Sequence, residues 1–143
     1  IQATLNLKKM AFDILQALKV LHEEKKMIHF DVKPGNIGYS KEENCFKLFD
    51  FNICQALPRD SKFVEISAAL GTEGFKAPEV IKLQPCSFKA DIWSFGKTLK
   101  FLTKQVKYSQ FEGTILREIY DMEILAKFCS IENETNRPSV QQA

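Results

Sequence analysis

No stretch of this chain holds the ~18 consecutive apolar residues of a membrane-crossing helix, so no transmembrane span is expected. No signal-peptide pattern opens it. No sign of charge dominates, with 20 Lys and Arg against 18 Asp and Glu, a formal net charge of +2. That balance argues against nucleic acid or an anionic membrane as the main partner. Only four cysteines are present (Cys45, Cys54, Cys86 and Cys129), with no C-x-x-C pair and no histidine at zinc-ligand spacing. The expectation is four reduced thiols in a cytoplasmic protein, the nucleus not excluded, rather than a disulfide framework or a metal site. Asn133-Glu134-Thr135 fits a glycosylation acceptor, but nothing else suggests secretion, so it reads as chance. No repeat, low-complexity tract or linker divides the 143 residues, and one domain is expected.

What the chain does have is hydrophobic patterning. Leu7, Met10, Ile14, Ala17, Leu18 and Leu21 recur at helical spacing and predict a helix over about Asn6 to Lys26. Asn6 is placed to cap its start, and Lys25 and Lys26 suit the negative end of its dipole. Met27-Ile28, Ile37 to Tyr39 and Phe46 to Phe49 read as short strands separated by polar turns. Residues 52–76 show little periodicity and predict a long loop. A second helix is expected from a cap at Ser87 through about Thr103, carrying Ile92, Trp93, Phe95, Leu99 and Leu102. A third spans about Thr114 to Cys129, with Ile115, Ile119, Met122, Ala126 and Cys129 on one face. The expected fold class is mainly α with a small antiparallel β patch.

One run concentrates chemistry: His29-Phe30-Asp31-Val32-Lys33-Pro34-Gly35-Asn36, followed by Leu48-Phe49-Asp50-Phe51-Asn52. In an extended loop, alternate side chains converge on one side. A carboxylate there can orient the proton of an incoming hydroxyl. A lysine can balance charge on a transferring phosphate. Asn36 and Asp50 offer hard oxygen ligands suited to Mg²⁺ shared with substrate phosphates. Three further segments follow in order: Gly71-Thr72-Glu73-Gly74-Phe75-Lys76-Ala77-Pro78-Glu79, then Asp91-Ile92-Trp93-Ser94-Phe95-Gly96, then Arg137-Pro138-Ser139.

Taken together these segments resemble the protein kinases, of the serine/threonine type, over essentially the whole chain. The resemblance implies the large, C-terminal lobe of that fold, entered just before its first long helix. It implies ATP and Mg²⁺ as cofactors and a serine or threonine of a protein as substrate. By the same resemblance Asp31 matches the catalytic base, Lys33 the phosphate-facing lysine, and Asn36 and Asp50 the Mg²⁺ ligands. Thr72 matches the threonine that steadies the catalytic loop. Glu79 is expected to pair with Arg137, and Asp91 to brace the catalytic loop. Ser61 and Ser67 are candidate phosphorylation sites.

The departures matter equally. None of the six glycines forms G-x-G-x-x-G before the first helix, and no V-A-I-K-like strand precedes it. The chain opens on Ile1. Residues 1–143 are therefore expected to be a partial kinase domain without its ATP-covering small lobe, inactive alone. Its exposed face would meet the small lobe of the same longer chain or another protein. Phe30 replaces the arginine of H-R-D and cannot pair with a phosphate. Asn52 replaces the glycine of D-F-G; asparagine tolerates positive φ. Gly38 stands where the family places an apolar residue under the adenine ring, which thins that floor. Two functions stay open: an active serine/threonine kinase, or a pseudokinase that keeps the fold for binding.

Overall fold

The computed structural model describes residues 6–106 and 110–143. Its first helix, α1 (Leu7–Lys19), buries Leu7, Met10, Ile14 and Leu18 of the expected stripe and adds Ala11, while Ala17 is only half-buried. It is shorter than expected. Val20–Glu24 continues it as a wider π-type turn, and Lys26 then takes φ 54°, which turns the chain into β1 (Met27–Ile28). The expected Asn6 cap is absent as a side-chain bond; the Asn6 carbonyl instead accepts from Met10 N at 2.7 Å.

A single 3₁₀ turn, Pro34–Asn36, leads into β2 (Ile37–Ser40), which pairs antiparallel with β3 (Cys45–Leu48) in the register Ile37↔Leu48. The sequence shows no sign of β4 (Gln55–Ala56), which pairs antiparallel with β1 inside the expected loop. The β patch is thus two separate two-stranded sheets. A further bridge joins Val64 to Cys86. The short helix α2 (Pro78–Ile81) is followed by α3 (Lys89–Lys104) and α4 (Thr114–Cys129). Ser87 does serve the start of α3, its Oγ accepting from Lys89 N at 3.2 Å. A closing 3₁₀ turn, Glu134–Asn136, is capped by Asn133 Oδ1, which accepts from Thr135 N at 2.9 Å. That bond gives Asn133 and Thr135 a local structural use.

Two apolar clusters hold the architecture. The larger joins α1, α3 and α4 through Ile14, Leu18, Ile92, Phe95, Leu99, Met122 and Cys129. Gly96 makes the α3–α4 approach possible: a Cβ there would stand 2.8 Å from Cys129 Cβ and 2.9 Å from the Ala126 carbonyl. The smaller cluster gathers Ile28, Phe30, Ala77, Val80, Cys86 and Ala90 behind the loop that follows β1. Among the described residues no helix is long and apolar enough to cross a membrane.

Candidate functional site

The site is built on one buried carboxylate. Asp91, fully buried in the first turn of α3, accepts from His29 N at 2.8 Å and from Phe30 N at 2.9 Å. Two consecutive amides reach one carboxylate because Phe30 takes φ 66°, a left-handed conformation rare for a bulky residue. His22 Nε2, at the end of the first helical segment, lies 2.8 Å from Asp91 Oδ2. A carboxylate only accepts, so this nitrogen carries the proton and donates. Asp91 therefore ties the helical layer to the loop after β1.

That loop presents Asp31. Thr72 Oγ1 donates to Asp31 Oδ1 at 2.6 Å, and Asn36 Nδ2 donates to Asp31 Oδ2 at 3.1 Å and to its carbonyl at 2.8 Å. Lys33 Nζ donates to Thr72 Oγ1 at 2.7 Å and stands 3.6 Å from Asp31 Oδ2. Three residues from two distant segments thus fix one half-buried carboxylate. Gly71 makes this possible. It sits at φ 102°, and a Cβ there would fall 2.3 Å from the Phe30 carbonyl oxygen. Only glycine lets the backbone descend far enough to put Thr72 on Asp31.

Asn36 spends its amide nitrogen on Asp31, which leaves Oδ1 as its remaining acceptor. Phe49 N donates to the Asn36 carbonyl at 2.7 Å, bringing Asp50 next in line. His29 links the two loops: its Nδ1 accepts from Asp31 N at 3.0 Å, so Nε2 donates to the Phe49 carbonyl at 2.9 Å. Asp50 is exposed, at φ 59°, and accepts one long bond from Asn52 N at 3.3 Å. The left-handed residue of this turn is Asp50; Asn52 does not use the positive φ that asparagine tolerates.

No group of three or more His, Cys, Asp or Glu among the described residues forms a self-sufficient metal cage. Asn36 Oδ1 and the Asp50 carboxylate fit a different donor set. Mg²⁺ takes one or two protein oxygens and fills its octahedron with water and substrate phosphate.

Phe30 is buried in the smaller core cluster, with its ring among Ile28, Val80 and Cys86. Glu79 and Arg137 form the pairing expected of them, at 2.6 and 3.1 Å. The guanidinium is 1% exposed and makes five hydrogen bonds, the others going to the Lys89, Ile131 and Glu132 carbonyls. Ser61 is half-buried, its hydroxyl engaged with the Phe63 backbone; Ser67 is exposed. Neither touches the Asp31 group. His22 was not legible as a site residue, since no local spacing connects it to a carboxylate 69 residues away. The space beside Gly38 is also filled: a Cβ there would lie 2.6 Å from Cε2 of Phe49, whose ring is 52% exposed.

A helical layer whose buried Asp91 ties down a loop carrying a carboxylate–amide–ammonium group, with a second, exposed carboxylate on the loop that follows β3, defines a kinase-type lobe. The family model described as "Protein kinase domain" matches residues 3–143, and the chain belongs to the protein kinase family. Among similar proteins, the "Proto-oncogene serine/threonine-protein kinase mos" of Sus scrofa is 38% identical over 102 residues, 71% of this chain and 29% of that protein. The "Probable serine/threonine-protein kinase mkcF" of Dictyostelium discoideum is 36% identical over 84 residues, covering 59% of this chain and 12% of that protein. The "Rust resistance kinase Lr10" of Triticum aestivum is 37% identical over 90 residues, 60% of this chain and 14% of that protein. The chain thus spans less than a third of the length of these relatives.

Proposed function

We propose that this chain supplies the catalytic and metal-binding loops of a protein serine/threonine kinase, which moves the γ-phosphoryl group of Mg-ATP to a protein hydroxyl. The observation that carries the reading is the Asp31 carboxylate, held at once by Thr72, Asn36 and Lys33. Asp31 accepts a hydrogen bond from the incoming serine or threonine, orients its oxygen towards phosphorus and receives its proton. As the new O–P bond forms, the bond to the bridging oxygen of ATP breaks and ADP leaves. Lys33 places positive charge beside the transferring group. Asn36 Oδ1 and Asp50 would hold Mg²⁺, which when bound neutralises phosphate charge. The exposed Phe49 ring, lying on Gly38, offers the apolar face that residue 38 lacks, placed for a nucleobase.

The rest of the nucleotide site belongs to a small lobe, on the same longer chain or on a protein that covers the open face. The chain alone is therefore inactive. The protein works in the cytoplasm, with a protein substrate and without nucleic acid or membrane as partner. One observation favours the pseudokinase alternative: Phe30 sits in the core where a phosphate-pairing arginine is usual for the family. Transfer of labelled phosphate from Mg-ATP to a generic serine/threonine substrate, by the protein carrying this chain beside an Asp31→Asn control, decides between them. Transfer that vanishes in the control supports the kinase; a folded protein that transfers nothing supports the binding module.

A further inference from the structure

The second half of α3 concentrates like charge. Lys97, Lys100 and Lys104 stand at helical spacing and share one face over about 10 Å. Phe101 lies among them with its ring 47% exposed. Lys100 and Lys104 are exposed. Lys97 is half-buried, its Nζ 4.7 Å from the centre of the Trp93 ring.

Like charges at these spacings weaken a helix. The helix dipole accounts for Lys104, in the last turn, but not for Lys97, two turns further in. None of the three forms an ion pair among the described residues. Burial first, then the charges of Lys100 and Lys104, lower the pKa of Lys97 from its ordinary 10.5. On the adjoining segment, Glu73 is already met by Lys76 at 4.0 Å. The face therefore carries positive charge that no ion pair answers, and an exposed aromatic ring within it.

Its position connects it to Asp31. The Phe101 ring meets Phe75 edge-on, with centroids 6.2 Å apart. Phe75 N donates to the Thr72 carbonyl at 3.1 Å, and Thr72 Oγ1 donates to Asp31. Ser94 Oγ, one turn before Lys97, donates to the Phe75 carbonyl at 2.7 Å. The lysine face is thus fixed to the segment that holds the Asp31 carboxylate. A protein laid with its hydroxyl at Asp31 can continue past Thr72 and Phe75 onto Phe101 and the lysines.

We propose that the substrate protein docks on this face through an acidic segment beside its acceptor serine or threonine. Its Asp or Glu carboxylates meet Lys97, Lys100 and Lys104, and an apolar side chain rests on Phe101. The inference rests on the phosphoryl-transfer reading and adds the substrate class to it. Charge complementarity selects the acids, and the ring between the lysines selects the apolar residue. The face is as long as about three residues of extended chain, which suits a peptide segment better than a lipid surface.

The test uses the complete protein that carries this chain and a serine peptide with glutamates and one leucine on both sides of the acceptor. Its twin has glutamine for every glutamate. Binding is read by fluorescence polarisation on labelled versions with alanine at the acceptor, so it does not depend on transfer. The glutamate peptide should bind about tenfold tighter than its twin, the sum expected of three exposed ion pairs, and the margin should shrink with added salt. Lys100→Glu/Lys104→Glu should abolish the margin. Both side chains are exposed, and unchanged thermal unfolding checks that the fold is kept. Labelled-phosphate transfer to the serine versions should show the same preference in KM. Equal binding of the two peptides, a margin that survives the charge reversal, or tighter binding to phosphatidylserine–phosphatidylcholine vesicles than to the peptide would each overturn the proposal. A protein that transfers phosphate without preferring the acidic peptide keeps the kinase reading and sinks the docking face. A protein that transfers nothing, yet binds the acidic peptide and loses it on charge reversal, keeps the face and sinks the kinase reading.

Discussion

Asp31 and Asp50 serve one site but live in opposite circumstances. Asp31 has both carboxylate oxygens engaged, and the backbone on either side of it is pinned through His29 and Asn36 to neighbouring segments. Asp50 stands exposed on a left-handed turn with one long bond to Asn52 N. The first half of the site is finished before any ligand arrives. The second half is shaped to be finished by what binds. Pre-organisation at the group that orients the nucleophile saves ordering at the moment of reaction. Openness at the metal carboxylate lets ion and nucleotide enter together.

The contrast predicts that substitutions on the two halves are felt in different assays. Asp31→Asn should lower phosphate transfer by roughly 10²–10⁴-fold while thermal unfolding hardly moves, because the amide keeps an oxygen for Thr72. Asp91→Ala should destabilise the fold by about 3–5 kcal/mol in urea titration, since it strands two buried amides and the His22 N–H. Asp50→Ala should change stability by under about 0.5 kcal/mol and remove the Mg²⁺ dependence of nucleotide binding. Equal unfolding of the Asp50 and Asp91 variants would break the comparison.

Two glycines sharpen it. Gly71→Ala drives a methyl group against the Phe30 carbonyl at positive φ and should cost about 1–3 kcal/mol, measured by urea unfolding. Gly38→Leu meets only the exposed Phe49 ring, which can rotate away. It should leave stability nearly intact but weaken nucleotide binding in the complete protein, and Phe49→Ala in the same chain should restore it. A double variant no better than Gly38→Leu alone would refute the idea that ring and glycine are a matched pair.

The smallest effect is at Cys54, whose Sγ faces the His29 carbonyl between the two loops. Burial first, then the charges of Asp91 and Asp50, push its thiol up to about 11 from an ordinary value of 9.0. Between those values the unfolded chain ionises and the folded one does not, so this group's contribution to stability is lost as pH rises from about 9 to 11. Alkylation should follow the same profile, slow at pH 9 and accelerating towards 11. Asp50→Asn should move it slightly down and Asp91→Asn further.

Much of this layout was legible in the chain itself. The three long helices announced themselves because a 3.6-residue period persists over several turns. Glu79 and Arg137 were placed as partners by motif order, and Ser87 at the head of α3 by its hydroxyl. Elements without a period stayed hidden. β4 is two residues long and owes its existence to β1, and the Val64–Cys86 bridge is a single pairing. Neither length can carry an alternation. Asn6 has the right chemistry for a cap and makes no side-chain cap bond, because residue type states a preference and not a geometry. The positive φ fell on Asp50 rather than on Asn52, since both tolerate it and the tertiary pairing of Phe49 with Asn36 chose. His22 escaped notice because its role exists only after folding brings Asp91 to it.

The pairing of Glu79 with Arg137 carries a consequence for how the protein is made. The two residues lie 58 positions apart, and the carboxylate is buried in the finished fold. At ordinary rates of translation roughly 3–12 s separate their synthesis. During that interval the segment around α2 has the sequence to fold but lacks the cation that makes its burial tolerable. The nascent chain must hold Glu79 in water until Arg137 leaves the ribosome. The latch that locks this lobe is therefore completed only when Arg137 is made, and a ribosome that stalls between the two residues would leave a lobe unable to close.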